Sequence, residues 1–144
     1  MTARSLVALA ALVLFALAGC GGDDEASSTL KSPLTYVRSG GIAGETHTLT
    51  IQPSGDATLT IDHGTKNESK DFKLDSGQLK RITELADETD IGSVKVEKAT
   101  SAADAFMYSI SYDGSEVQWQ DGQEPQEVQE LTDALADVVD ANSG

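Results

Sequence analysis

The sequence contains few of the residues from which catalytic or metal centres are built. Its 144 residues include one cysteine and two histidines, so no disulfide can form within the chain. It has no EF-hand loop, His-Glu-x-x-His, Walker loop or Gly-x-Ser-x-Gly. Its carboxylates are spread over predicted loops and helix faces, where solvation explains them. We therefore predict no catalytic residue, no cofactor and no metal site, and we expect that the protein is not an enzyme.

The two histidines leave one weaker alternative. His47 shares a predicted strand face with Leu49, near the start of the strand, and we expect a partly exposed polar position there. Asp62 and His63 adjoin at a strand end and would suit zinc, but no third ligand stands at a recognisable spacing.

Basic residues are also scarce. The chain has 10 lysines and arginines against 24 acidic residues, a formal net charge of −14. A nucleic-acid-binding protein needs a basic footprint, so this balance argues against nucleic acid. It also argues against a protein body that lies flat on anionic lipid.

The N-terminus has the pattern of an export signal. Arg4 precedes an apolar run over 6–17 that is too short for a membrane-spanning helix. Leu17-Ala18-Gly19-Cys20 then resembles a bacterial lipobox, which implies cleavage before Cys20 and diacylglycerol on its thiol. The alternative is an ordinary signal peptide with an incidental cysteine.

Three regions follow from this interpretation. Residues 1–19 are a removed signal peptide, 20–33 are the lipidated cysteine and a flexible acidic tether, and 34–144 are one folded domain. Loss of Arg4 with the signal brings the formal charge to −15. We expect an extracytoplasmic protein that touches the membrane through its lipid anchor alone.

Alternating apolar residues predict strands at 34–38, 46–52 and 57–62. A three-residue loop of Ser54, Gly55 and Asp56 would pair Ile51 with Leu59 and keep the aliphatic residues on one face. The polar stretch 63–70 is predicted to be a mobile loop.

Apolar residues at helical spacing follow Asp75 and predict a helix. Asp75 is its predicted N-cap, with Gln78 in the capping-box position, and we expect the helix to run to about Glu88. The stretch 91–103 is predicted to hold a short edge strand around Val94 and Val96.

The C-terminal third predicts a hairpin and a helix. A strand over 106–112 leads into Asp113-Gly114, which sets Tyr108 opposite Trp119. These aromatics fit a core better than a ligand surface. Pro125 suits the first position of a terminal helix. The predicted fold is a two-layer α+β domain, with an antiparallel sheet of about four to six strands and two helices on one face.

One glycine-rich stretch separates the first two strands and is the candidate partner-binding site. Glycine permits backbone angles that other residues avoid and lets another chain approach closely. The stretch is a structural corner or a contact surface, and its seven residues are Arg38, Ser39, Gly40, Gly41, Ile42, Ala43 and Gly44.

The stretch 36–44, together with Ala103-Asp104-x-Phe106-x-Tyr108, resembles the emfourin family. The resemblance extends from about Tyr36 to Val139 and implies the same order of elements: a glycine-rich opening, a central helix, a hairpin and a terminal helix. The family is named for inhibition of thermolysin-like, protealysin-type (M4) metalloproteases. The resemblance therefore implies that a metalloprotease is the partner and that residues 38–44 contact it.

Two hypotheses stay open from the sequence. The first is a membrane-tethered protease inhibitor that uses residues 38–44. The second is a cell-envelope structural or binding lipoprotein without protease-inhibitory activity, in which the glycines serve only the fold.

Overall fold

The computed structural model describes residues 29–96 and 104–144. The predicted signal peptide, Cys20, the first part of the tether and residues 97–103 lie outside the described residues. One antiparallel sheet has the strand order β4-β3-β2-β1-β5-β6. The strands are β1 (Leu34–Gly40), β2 (Glu45–Ile51), β3 (Asp56–Asp62), β4 (Asn67–Lys73), β5 (Met107–Tyr112) and β6 (Ser115–Gln120). The helices are α1 (Ser76–Glu88) and α2 (Gln129–Asn142), and the predicted α+β class is confirmed.

The core lies between the sheet and the two helices. Alternate strand residues are buried on the inner face of the sheet, as the period of two requires. The side chains that are less than 2% exposed come from both layers and include Leu34, Tyr36, Leu49, Ile51, Ile82, Ile110, Leu131 and Leu135. Every buried apolar residue of this core falls between Leu30 and Val139, so a chain that begins at residue 21 retains the whole described core.

The outer face of the sheet carries short hydroxyl side chains in register. Thr50 stands opposite Thr35 on one side and Thr58 on the other. Thr48 and Thr60 form the next such pair. Threonine suits this surface because its branched side chain fits a pleated, half-exposed sheet face.

The register between β2 and β3 differs from the prediction. Leu49 pairs with Leu59 and Ile51 pairs with Ala57, a shift of two residues. The three-residue loop is Pro53-Ser54-Gly55, because the Gln52 N–H donates to the Asp56 carbonyl and Gly55 has a φ of +85°. Glycine at the third position is typical of this hairpin loop. A shift of two keeps each side chain on its face, so the predicted core face is right.

The prediction of a mobile loop over 63–70 is wrong for its second half. Residues 67–73 form β4, which pairs with β3 along its whole length. Most of its side chains are exposed and charged. An edge strand with charges on both faces resists pairing with other chains, and it shows none of the apolar alternation that identifies a buried strand.

The predicted edge strand around Val94 and Val96 is also wrong for the described part of that stretch. A single 3-10 turn spans Ile91–Ser93, and no strand follows within 94–96. Ile91 is 4% exposed, and Val94 and Val96 are partly buried against the core. Packing of these side chains without a strand explains the apolar signal.

The β5–β6 hairpin is confirmed in every predicted pair. Tyr112 stands opposite Ser115 and Tyr108 opposite Trp119. Asp113 has a φ of +49° and Gly114 a φ of +76°. Two positive φ values identify the type I′ turn that Asp-Gly favours.

Both helix starts can be compared with the prediction. The Asp75 side chain accepts from the Gln78 N–H at 2.8 Å, and the Gln78 side chain accepts from the Asp75 N–H, so the capping box is confirmed. Contrary to the prediction, Pro125 is not the first residue of the terminal helix. It precedes a 3-10 turn, and α2 begins four residues later at Gln129.

The folded part begins before residue 34. Leu30 is 3% exposed, and the Lys31 N–H donates to the Tyr112 hydroxyl at 3.0 Å. That hydroxyl donates in turn to Asp87 at 3.0 Å. The side chain of Lys31 hydrogen-bonds to Asp87 and holds the pKa of that carboxyl below its usual value. The end of the predicted tether is therefore fixed to the domain.

Neither α1 nor α2, nor any other helix within 29–96 and 104–144, is long and apolar enough to cross a membrane.

Candidate functional site

The glycine-rich stretch forms the tight connection between β1 and β2. β1 continues to Gly40, which pairs with Glu45, and the four residues between them are a turn. The Gly44 N–H donates to the Gly41 carbonyl at 3.1 Å and closes this turn. β1 and β2 are the two central strands, so the turn stands at the middle of one end of the sheet.

Three glycines in this stretch have positive φ for different structural reasons. A Cβ on Gly40 would lie 2.7 Å from the Ala105 carbonyl oxygen. A Cβ on Gly41 would lie 2.6 Å from the tip of the Phe106 ring. A Cβ on Gly44 would meet nothing within 4 Å. Gly40 and Gly41 thus permit close packing against residues 105 and 106. At Gly44, glycine is favoured only because the backbone has a φ of +62°.

The tip of the turn exposes apolar surface. Ile42 is 98% exposed, and Phe106, which packs against Gly41, is 37% exposed. An open groove of about 490 Å³ lies beside the turn; we call it the loop groove. Its lining is Arg38, Gly40, Gly41, Ile42, Ala43, Glu45, His47, Asp104 and Phe106.

Arg38 and Ser39 point to opposite faces of β1. Arg38 lies on the inner face, where its guanidinium is 3.7 Å from Asp140 of α2, and its side chain is 26% exposed. Ser39 lies on the outer face, opposite Thr46 and Met107. Of the seven predicted site residues, Ser39 and Gly44 do not line the loop groove, and the other five do.

Glu45 connects the two histidines at one wall of the loop groove. Its Oε1 is 3.0 Å from His63 Nδ1, and its Oε2 is 3.6 Å from His47 Nε2. The hydrogen bond with His63 holds the pKa of the Glu45 carboxyl below its usual value. His47 is 12% exposed, and its Nδ1 is buried without a hydrogen-bond partner. In the described ranges, no three His, Cys, Asp or Glu side chains are placed to hold a metal ion.

A second groove, of about 470 Å³, lies between α2 and the same end of the sheet; we call it the helix groove. Tyr36, Tyr108 and Trp119 line it from the sheet. The Tyr108 and Trp119 rings stack with centroids 5.7 Å apart. Trp119 is 2% exposed, as expected for a core aromatic, whereas Tyr108 is only partly buried. Arg38 lines both grooves and so joins them into one surface.

The site predicted from the sequence leaves out four residues that line the loop groove: Glu45, His47, Asp104 and Phe106. The motif Asp104-x-Phe106-x-Tyr108 was visible in the sequence, but nothing in it showed that β5 pairs with β1. That pairing places Phe106 against Gly41 across a sequence separation of about 65 residues.

Comparison with known proteins assigns no function to this surface. The chain matches no protein-family model, and no curated protein matches it significantly. The emfourin resemblance therefore stays a prediction that rests on the residues given above.

Proposed function

We propose that this chain is a membrane-tethered protein-binding lipoprotein, and that it inhibits a thermolysin-like metalloprotease through the 38–44 turn and the loop groove. The observation that carries the proposal is Ile42, which is 98% exposed at the tip of a hairpin turn. Ile42 and the partly exposed Phe106 line the same groove, and apolar surface that is grouped in this way suits contact with a partner.

The frame around Ile42 supports a binding role. The turn is closed by its own hydrogen bond and is flanked by central strands, so its backbone is held before any partner arrives. A rigid loop loses little conformational entropy on binding. The loop groove next to it offers further apolar surface from Phe106.

The position of the turn suits a tethered binder. The fixed N-terminal segment, with Leu30 and Lys31, meets the domain near Tyr112, beside the first residue of β1. The turn follows the last residue of β1. Seven strand residues separate the two ends by about 20 Å. An anchor at Cys20 would therefore leave the turn at the end of the sheet away from the attachment point.

The acidic body supports a charged enzyme partner. With 24 acidic residues against 10 basic ones, the protein would be attracted to a cationic or calcium-loaded surface. Such complementarity accelerates association more than it strengthens the final complex. We expect inhibition to develop more slowly at high salt.

The test is an inhibition assay with residues 21–144. A thermolysin-like protease is incubated with increasing amounts of the folded domain, and hydrolysis of a fluorogenic peptide is followed. We expect dose-dependent loss of hydrolysis. Absence of inhibition at micromolar domain, across several such enzymes and with folding verified by circular dichroism, would remove the protease from the proposal.

The second candidate is a cell-envelope structural or binding lipoprotein without inhibitory activity. Gly40 favours it, because the close approach of the Ala105 carbonyl explains that glycine by folding alone. Under this alternative, substitutions in the turn change stability but leave every partner unaffected.

A further inference from the structure

The helix groove has features that the core alone does not require. It is open to solvent on one side, with a volume of about 470 Å³. The inner face of the sheet forms its floor, and the first half of α2 forms one wall. Its rim carries three carboxylates: Asp121 and Glu124 after β6, and Asp133 on α2.

Two buried polar side chains on the floor lack partners. Tyr36 is 1% exposed and Trp119 is 2% exposed, and both line the groove. Within the described part of the chain, neither the Tyr36 hydroxyl nor the Trp119 indole N–H has a hydrogen-bond partner. Neither atom is among the fully buried unpartnered atoms of the described residues. The Tyr36 hydroxyl can accept a hydrogen bond from a bound group, whereas the Trp119 indole N–H can only donate one.

The charge of the groove is negative. Among the described residues, Asp121, Glu124 and Asp133 form no ion pair, and Arg38 is the single cation that lines the groove. Arg38 is directed toward Asp140, whose carboxylate is 3.7 Å away. Burial raises the pKa of the Tyr108 hydroxyl, the Asp121 and Glu124 carboxylates raise it further, and Arg38 opposes them. Three carboxylates against one cation leave the groove with a net negative charge.

We propose that the helix groove binds the guanidinium or ammonium group of a basic side chain in a partner polypeptide. Carboxylates on the rim and the Tyr36 hydroxyl accept hydrogen bonds from such a group. Because Arg38 lines both grooves, a polypeptide on the loop groove reaches the helix groove without leaving the surface.

This inference extends the proposed contact surface but does not depend on a protease, so the two can fail separately. If the domain binds a basic peptide yet inhibits no protease, the assignment of the helix groove is supported and the proposed protease inhibition is rejected. If it inhibits a protease but does not bind basic peptides, the groove assignment is overturned.

The test follows the single tryptophan by NMR. Isotope-labelled residues 21–144 are titrated with acetyl-Gly-Arg-Gly-Gly-amide, and the Trp119 indole signal is recorded, which is unambiguous because the chain has one tryptophan. We expect a saturable shift with this peptide. The same peptide with citrulline in place of arginine should bind about tenfold more weakly, because it lacks the charge.

Matched variants separate the groove from the general acidity of the protein. Asp133→Asn should weaken binding several-fold, and so should Glu124→Gln. Asp137→Asn removes the same charge one turn along α2, from an exposed residue that does not line the groove, and should leave binding unchanged.

Three results would overturn the inference. One is the absence of a saturable Trp119 shift at 10 mM peptide, on the order of the weakest specific affinities. Another is equal weakening by Asp133→Asn and Asp137→Asn, which would assign the response to net charge. The third is equal binding of putrescine, which would assign the groove to free organic cations instead of a polypeptide side chain.

Discussion

At the scale of the residue, the glycines beside the turn have separable roles. Gly40 has a φ of +112° and no room for a Cβ, because the Ala105 carbonyl oxygen is a backbone atom that cannot move freely. Gly41 is crowded by the end of an exposed ring, which can rotate away. Gly44 is uncrowded. Only the backbone angle is thus common to all three.

Alanine substitutions should rank in the same order. We expect Gly44→Ala to lower the free energy of unfolding by about 1 kcal/mol, the cost of a left-handed backbone for an L-residue. Gly40→Ala should cost clearly more, because a contact of 2.7 Å is added to its φ. Urea denaturation measures both. Equal losses for the two variants would contradict the packing role of Gly40.

The tyrosines make a second prediction at this scale. The chain has three, and burial raises the pKa of Tyr36, Tyr108 and Tyr112 above the usual value. A raised folded-state pKa contributes stability that is complete below the unfolded value of about 10 and is lost as pH rises above it.

We therefore expect the free energy of unfolding to fall above about pH 10, where the unfolded tyrosines ionise. Absorbance at 295 nm should show no tyrosinate with an ordinary midpoint while circular dichroism reports a folded protein. A full tyrosine equivalent that titrates near pH 10 without unfolding would contradict this account.

At the scale of the element, the N-terminal segment behaves as part of the domain. Leu30 lies in the core although no strand or helix contains it. Leu30→Ala should lower the free energy of unfolding by about 2–4 kcal/mol, because it removes a buried aliphatic side chain.

The matched control for that prediction is Ile42→Ala, which removes a comparable side chain from a position that is 98% exposed. It should change stability by less than about 0.5 kcal/mol. Denaturation of residues 21–144 measures both variants. If Leu30→Ala were as mild as Ile42→Ala, the domain would begin at residue 34, as the sequence predicts.

Elements with a local chemical signal could be predicted from the sequence. Asp75 and Gln78 specify a helix start through hydrogen bonds within four residues. Asp113 and Gly114 specify a turn that fixes the pairing of its flanking strands. In such cases, the residues that determine the structure are neighbours in the chain.

Elements without a chemical signal of their own were missed. β4 has little apolar alternation, because its strand structure comes from the ladder with β3 and not from a buried face. The burial of Leu30 depends on contacts with residues far along the chain, such as Tyr112 for its neighbour Lys31. The candidate site shows the same limit: the turn was visible, but Phe106 joins it only through the β1–β5 pairing.

At the scale of the whole molecule, the functional candidates gather at one end of the sheet. The β1–β2 turn, the loop groove and the helix groove all adjoin the C-terminal end of β1. The segment that leads toward Cys20 attaches at the opposite end of the same strand. If the chain is anchored at Cys20 as proposed, it presents this end to partners, and its acidic body favours partners of opposite charge.

The most direct test of the proposed contact is one substitution at the tip of the turn. Ile42→Asp replaces an exposed side chain, so the fold should persist with an unchanged melting temperature. Gln118→Asp is its matched control, because it introduces the same charge at an exposed position on the outer face of β6. Both variants are compared with the unmodified domain for inhibition and for direct binding of a thermolysin-like protease.

We expect Ile42→Asp to weaken binding at least tenfold, since it places a charge in the centre of an apolar contact. Gln118→Asp should bind like the unmodified domain. If the domain binds the protease and Ile42→Asp binds it equally well, the turn is not the contact surface, and its glycines serve the fold alone.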